Sequence, residues 1–340
     1  MPTSPTQRGD ALQALEKCRW FPFSDEPLLT GKEYIPKFCD PQILLPEQSC
    51  DGKWHMFFHS WIGIHHFTST SGIAWEPRKM IELRGHSPFI FTENENYYLI
   101  YEKHDRNIPF VSRRTGEGKR DSYSCIEMRS STDLVTWSKP RLLLDARTIP
   151  FAGDYLRYPR VSRPQLIKAG DEYRLYFGAS HLVLPDTKQK ISRYFASVSS
   201  SSLNGPYVMQ KPERPLLEPI PDDQWSNLGC GSIRVIPCGD YLYAFQCPVY
   251  WDSQEKKTKS CMLLLKSEDG YQWERCSNEP ILVPADRGWA SSYIMGCDVH
   301  YKADEKCWYC YFSASGGKKL LFNMESIGLL IGSVPERRLK

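Results

Sequence analysis

Residues 39–60 read CDPQILLPEQSCDGKWHMFFHS, and residues 63–75 continue GIHHFTSTSGIAW. A short apolar run follows Asp40-Pro41, and an Asp-Gly turn at 51–52 breaks it. An aromatic-rich run comes next, and a third run ends in a Ser/Gly turn and Trp75. Short runs bounded by Gly, Pro, Asn and Asp are strand signals. The same plan returns four times. HSPFIFTENENYYLIYEKHD at 86–105 leads to a turn ending at Trp137, and SRPQLIKAGDEYRLYFGAS at 162–180 to one ending at Tyr207. GSIRVIPCGDYLYAFQCPV at 231–249 leads to Trp273, and CDVHYKADEKCWYCYFSA at 297–314 to KKLLFNMESIGLLIG without a final Trp turn.

Five such units predict an all-β, five-bladed β-propeller of four-stranded antiparallel blades, starting near residues 40, 87, 163, 232 and 298. Each unit alone leaves edges and faces open, and a ring buries them. The propeller then spans residues 38–340, and residues 1–37 form an extension with a short helix over DALQALEKC at 10–18. The fifth unit runs out before a fourth strand. Residues 20–30 (WFPFSDEPLLT) are therefore expected to supply that strand or cover its edge. The Trp turns are expected to pack at blade edges. A length of 340 residues, which on its own suggests two domains, is read as five blades.

Composition excludes several classes. The chain is 41% hydrophobic and 13% aromatic, enough for a full core. Its 43 basic and 40 acidic residues leave a net charge of +3 with no basic block, so no nucleic-acid partner is expected. No apolar run is long enough to span a bilayer. The N-terminal stretch has no apolar signal core and no Asn-x-Ser/Thr sequon occurs, so a cytoplasmic location with cysteines kept as thiols is expected. Cys307 and Cys310 form a C-x-x-C pair, but three residues apart on a strand they point to opposite faces, which argues against a shared metal.

In a propeller the first strand of each blade lines the channel and the second runs antiparallel to it. First-strand starts and second-strand ends therefore share one mouth. Those positions include Asp40, His86, Ser87, Ser162, Arg163, Ser232 and Asp298, with His59, Glu102, Lys103, His104, His181, Gln246 and Ser313. Carboxylates, histidines and an arginine converging on one mouth mark a candidate site.

Asp40-Pro41 with DGKWHMFFH and the Ser-x-Ser-Gly-x-x-Trp turn resembles the five-bladed propeller glycoside hydrolases, among them families 43, 62, 32, 68, 117 and 130. SRPQLIKAGDEYRLYF is similar to a strand pair in poorly characterised bacterial members of that superfamily. The resemblance implies a glycosidase that cleaves a small oligosaccharide or glycoside. Asp40 matches the blade-one aspartate, a general base in family 43 and a nucleophile in family 32. The chain then departs from the pattern. Phe89 stands at the blade-two aspartate, and Ser162-Arg163-Pro164 carries no acid Glu. The general acid is expected from Glu102, after an aromatic run, or from Asp298, with Asp105 and Asp154 weaker. Inverting and retaining outcomes both stay open.

Arg163, with Lys103, Arg106, Arg113, Arg114, Arg157 and Arg160, points to an anionic sugar or to phosphate as co-substrate. His59, His86, His181, Gln246 and Trp61 are expected to orient substrate, and Tyr158, Trp225, Trp251 and Trp289 offer stacking faces. No cofactor is expected. A calcium near His59, His181 and His300 is the metal that the resemblance allows. A non-catalytic sugar-binding propeller and a glycoside phosphorylase are the alternatives. The sequence does not fix the oligomeric state.

Overall fold

Five antiparallel sheets stand around one axis in the computed structural model, which describes residues 15–31, 37–104, 124–155, 158–319 and 322–335. Blade one comprises Cys39–Leu44, Trp54–His59, Gly63–Ser69 and Glu76–Leu83. Blade two comprises Gly85–Glu93, Asn96–Lys103, Cys125–Ser131 and Arg141–Asp145. Blade four is Gly229–Cys238, Tyr241–Asp252, Leu263–Ser267 and Glu274–Arg275, with Lys257–Ser260 pairing along the end of its second strand. In blade five Tyr293–Lys302, Cys307–Lys319 and Phe322–Ser333 are followed outward by Arg19–Pro22, which pairs antiparallel with Leu330–Ser333. Leu29–Thr30 pairs further along the same strand. The first strand of each blade touches its neighbours around the ring, so these five strands line the channel.

Two expectations need correction. Blade three has three strands, Val161–Ala169, Glu172–Val183 and Lys190–Ser200. Where its fourth would lie, only isolated bridges form, Ser199 to Val208 and Phe195 to Leu217. The segment between them carries Pro212 and Pro215, which lack the N–H a ladder requires. Of the helix expected over 10–18, residues Leu15–Lys17 form one 3₁₀ turn, and residues 10–14 lie outside the described residues. No helix among the described residues is long and apolar enough to cross a membrane.

The core is divided among the blade interfaces. Leu44, Phe57 and Ile64 of blade one pack on Tyr97, Leu99 and Tyr101 of blade two. Blades two and three share Phe89, Ile100, Leu175 and Phe177, and blades three and four share Ile167, Tyr176, Ala244 and Leu265. Phe245 and Met262 meet Trp308 and Phe312 across blades four and five, and Tyr311 and Leu329 meet Met56 and Phe58 across five and one. The Trp turns serve these seams. Trp75 stands edge-on to Tyr311, Trp137 to Phe57 and Trp273 to Tyr176, each reaching the second strand of the preceding blade. All twelve cysteines are unbridged.

Candidate active site

Every channel strand carries a bulge at the same place. Two residues oppose one in blades one to five at 40–41, 87–88, 163–164, 230–231 and 295–296. The first three bulges are Asp40-Pro41, Ser87-Pro88 and Arg163-Pro164, and each leading residue has a positive φ, of 50°, 46° and 49°. In blade four the corresponding residue with positive φ is Gly231, at 66°. A non-glycine residue held there costs about 1–3 kcal/mol and persists only where the surroundings fix it. The bulge turns the leading side chain into the channel.

There the three meet. Ser87 Oγ donates to Asp40 Oδ2 at 2.6 Å, and Arg163 Nε lies 3.5 Å from the same oxygen. The Asp40 backbone N–H donates to Ser313 Oγ at 3.3 Å. Asp40 Oδ1 is buried and accepts no hydrogen bond from the described residues. It faces Gly296, where a Cβ would collide with it, so only glycine leaves room for the carboxylate. Burial pushes the Asp40 pKa up, but Arg163, His59 and the Ser87 hydrogen bond together more than offset this, and the carboxyl lies below its ordinary value. Asp40 is therefore ionised at neutral pH.

The channel around it has a volume of only 40 Å³. That holds a few waters at most, so a sugar ring must sit above, at the mouth. Polar side chains cross the channel between blades. The Gln165 amide bonds both backbone groups of Val235, and the Arg234 guanidinium lies 4.7 Å over the Phe89 ring. Phe89 thus serves as a platform for a cation.

His59 sits beside Asp40, with Nδ1 3.7 Å from Oδ2. Nδ1 accepts the Ser87 N–H at 3.2 Å, so the proton of the neutral ring is on Nε2. Burial holds its pKa below the usual histidine value, with Asp40 pulling against that, so the contact is not an ion pair at neutral pH. The ring stacks on His86 at 4.6 Å, and His86 meets His104 with 3.1 Å between Nε2 atoms. His181 Nε2 is 3.2 Å from Ser162 Oγ, and Ser162 Oγ is 2.9 Å from Ser192 Oγ, which accepts from Arg163 at 3.4 Å. Gln246 is buried and donates to Cys230 O. Trp61 is half-buried, and its indole N–H has no partner among the described residues.

The two candidate acids are placed differently. Glu102 is buried and ion-paired with Arg160. Asp298 is completely buried: Arg234 Nε lies 2.6 Å and the Val299 N–H 3.0 Å from Oδ1, while the Ile43 N–H at 2.6 Å and His300 Nε2 at 2.8 Å reach Oδ2. Burial raises its pKa, but Arg234 and His300 outweigh this and the net direction is down. An ionised carboxylate with both oxygens filled ties blade five to blades four and one and holds no proton to give.

Among the other basic residues, Lys103 is paired with Glu82, and Arg106, Arg113, Arg114 and Arg157 lie outside the described residues, as does the weaker acid candidate Asp105. Asp154 is exposed and accepts from Tyr194. Glu325 was not singled out from sequence. It is buried, paired with Lys37 at 2.6 Å and bonded to the Cys39 thiol beside Asp40. Nothing in its strand, FNMESIGLLIGS, with no period-2 pattern and a continuous apolar run after it, marks it. Among the described residues no group of three or more His, Cys, Asp or Glu side chains is arranged to hold a metal.

No protein-family model and no curated protein sequence matches the chain. Solved structures do share its fold. A family 117 glycoside hydrolase from the marine bacterium Zobellia galactanivorans superposes with a TM-score of 0.60 at 13% identity, over 94% of this chain and 92% of that one. A thermostable family-43 glycoside hydrolase gives 0.58 at 14% identity, over 86% and 88%. An N-acetylgalactosamine deacetylase from F. plautii, in complex with blood group B trisaccharide, gives 0.57 at 14% identity, over 93% and 95%. The chain thus has the five-bladed propeller fold of these enzymes. A deacetylase among them means that the fold does not fix the reaction.

Proposed function

We propose that this protein cleaves a glycosidic bond at the channel mouth, with Asp40 as general base or nucleophile. One observation carries the reading: Asp40 is a strained, buried, ionised carboxylate with one unengaged oxygen beside a space the size of a few waters. A structural aspartate would have both oxygens filled, as Asp298 does. An ionised carboxylate of this kind can activate a water or attack an anomeric carbon.

Glu102 is the preferred acid. Its pairing with Arg160 has to loosen for it to take up a proton, whereas Asp298 would have to shed four donors. Arg163, His59, His86, His181, Gln246 and Trp61 orient the sugar in this reading. Arg163 favours an anionic group on the unit nearest Asp40. A small intracellular glycoside is the substrate class that fits a cytoplasmic enzyme.

The test is hydrolysis of a glycoside panel by wild type and Asp40→Asn. Turnover is expected to fall by about 10³-fold or more with the fold intact by circular dichroism. Unchanged turnover in Asp40→Asn refutes the proposal. A second reading, a sugar-binding propeller without catalysis, is favoured by one observation: both candidate acids are buried and already paired. Saturable sugar binding with no turnover of any glycoside supports it.

A further inference from the structure

A cleft of 1070 Å³ opens at the mouth end of the molecule, outward from the channel. It is built by the tip of the blade-three hairpin at Asp186, the long second strand of blade four with Lys257–Ser260, and the segments entering blades four and five. Pockets that bury small ligands run to about 300–1,000 Å³, so this one takes several sugar-sized units where the channel takes none.

Its walls are aromatic and held in place. Trp225 stands edge-on to Tyr250 with ring centroids 5.4 Å apart, and its indole N–H donates to Asn278 O at 3.1 Å. The Trp251 backbone is clamped at both ends by the Asn227 amide, which accepts the Trp251 N–H at 2.7 Å and donates to its carbonyl at 3.4 Å. Both indoles are half-buried and open to the cleft. Rigid aromatic faces bind at little entropic cost.

The charge of the cleft selects among ligands. Its lysines are already neutralised: Lys257 lies 2.5 Å from Glu255, and Lys259 lies 2.8 Å from Asp252 and 2.5 Å from Glu255. Asp222 and Asp286 at the rim are exposed, and no cation is paired with either among the described residues. A phosphate or a uronate would meet net negative charge and, among the described residues that line the cleft, no unpaired cation. A neutral sugar presents an apolar C–H face to the indoles and hydroxyls to the rim carboxylates. We infer that this cleft is a second binding site, separate from Asp40, for the neutral units of an oligosaccharide. The choice of a carbohydrate rests in part on the glycosidase reading.

The test is tryptophan-fluorescence titration of the full chain with neutral di- to tetrasaccharides of gluco-, galacto-, manno-, xylo- and arabino-configuration, and with trigalacturonate. At least one neutral sugar is expected to bind saturably, at least 10-fold more tightly than trigalacturonate. Trp251→Ala should weaken that binding at least 10-fold, and Asp40→Asn should leave it within 2-fold. Asp222→Lys, an exposed change that spares the fold, should tighten trigalacturonate binding at least 3-fold. Absence of saturable binding by every neutral sugar overturns the inference. So does binding abolished by Asp40→Asn but kept in Trp251→Ala, which places the sugar in the channel and leaves the glycosidase reading standing. Binding that depends on Trp251, with turnover untouched by Asp40→Asn, supports the cleft and removes Asp40 from the reaction.

Discussion

Asp40 shows how far one side chain is set by neighbours remote in sequence. Ser87 is 47 positions away, and its hydroxyl stabilises the ionised carboxylate together with Arg163. A group whose folded pKa is depressed stays charged until the pH falls through that lowered value. The acid limb of kcat/KM should therefore lie below the ordinary carboxylate range in the wild type. Ser87→Ala removes a stabilising donor, so the limb moves toward neutral pH, and Arg163→Gln moves it in the same direction. A pH–rate profile checks this, and a limb that stays put in both variants shows that Asp40 does not control it. Asp40 itself was legible in the sequence because Asp-Pro begins a repeated unit. The ion pairs of Glu102 and Asp298 were not. Arg160 is 58 residues from Glu102 and belongs to another blade, and no periodicity encodes such a meeting. Lys37 and Glu325, 288 residues apart, are hidden for the same reason.

At the scale of the blade, the repeated strands were readable because each copy repeats the same turn chemistry. Ser69, Ser131 and Ser267 accept from the N–H of Gly72, Leu134 and Gly270 at 2.8–2.9 Å, and each turn presents its Trp to the seam with the preceding blade. The missing fourth strand of blade three was the exception, and prolines remove it. The seams also depend on tyrosine hydroxyls. Tyr176 donates to Gly270 O at 3.0 Å, and Tyr311 to Gly72 O at 2.9 Å, each bonding the turn of the following blade. Tyr176→Phe keeps the ring against Trp273 but leaves that carbonyl without its partner. The expected loss is about 1–2 kcal/mol in urea unfolding. No change in midpoint would mean that water or Arg174 takes over the bond.

For the whole molecule, blade five is made from both ends of the chain. Leu15 is buried in the blade-four/five core, and Trp20 packs edge-on against Phe245 at 5.4 Å. Deleting residues 1–31 removes these contacts and exposes the edge of Phe322–Ser333. The thermal midpoint should fall by about 5–10 °C, with aggregation on heating. A truncated chain that melts like the full one would show that the other four seams hold the ring unaided. The number of blades and the need for closure could be read from the repeats. The large cleft could not, because three blades contribute to it through segments outside the repeated plan.

That shared blade also imposes an order on the chain during synthesis. Arg19–Pro22 leaves the ribosome roughly 300 residues before its partner at Leu330–Ser333 exists. At about 5–20 residues per second, the first strand waits on the order of 15–60 s with its pairing edge unprotected. Four blades can form in that interval, but the ring cannot shut, and the newborn chain depends on whatever shields Trp20 and Phe21 until Leu330–Ser333 has been made.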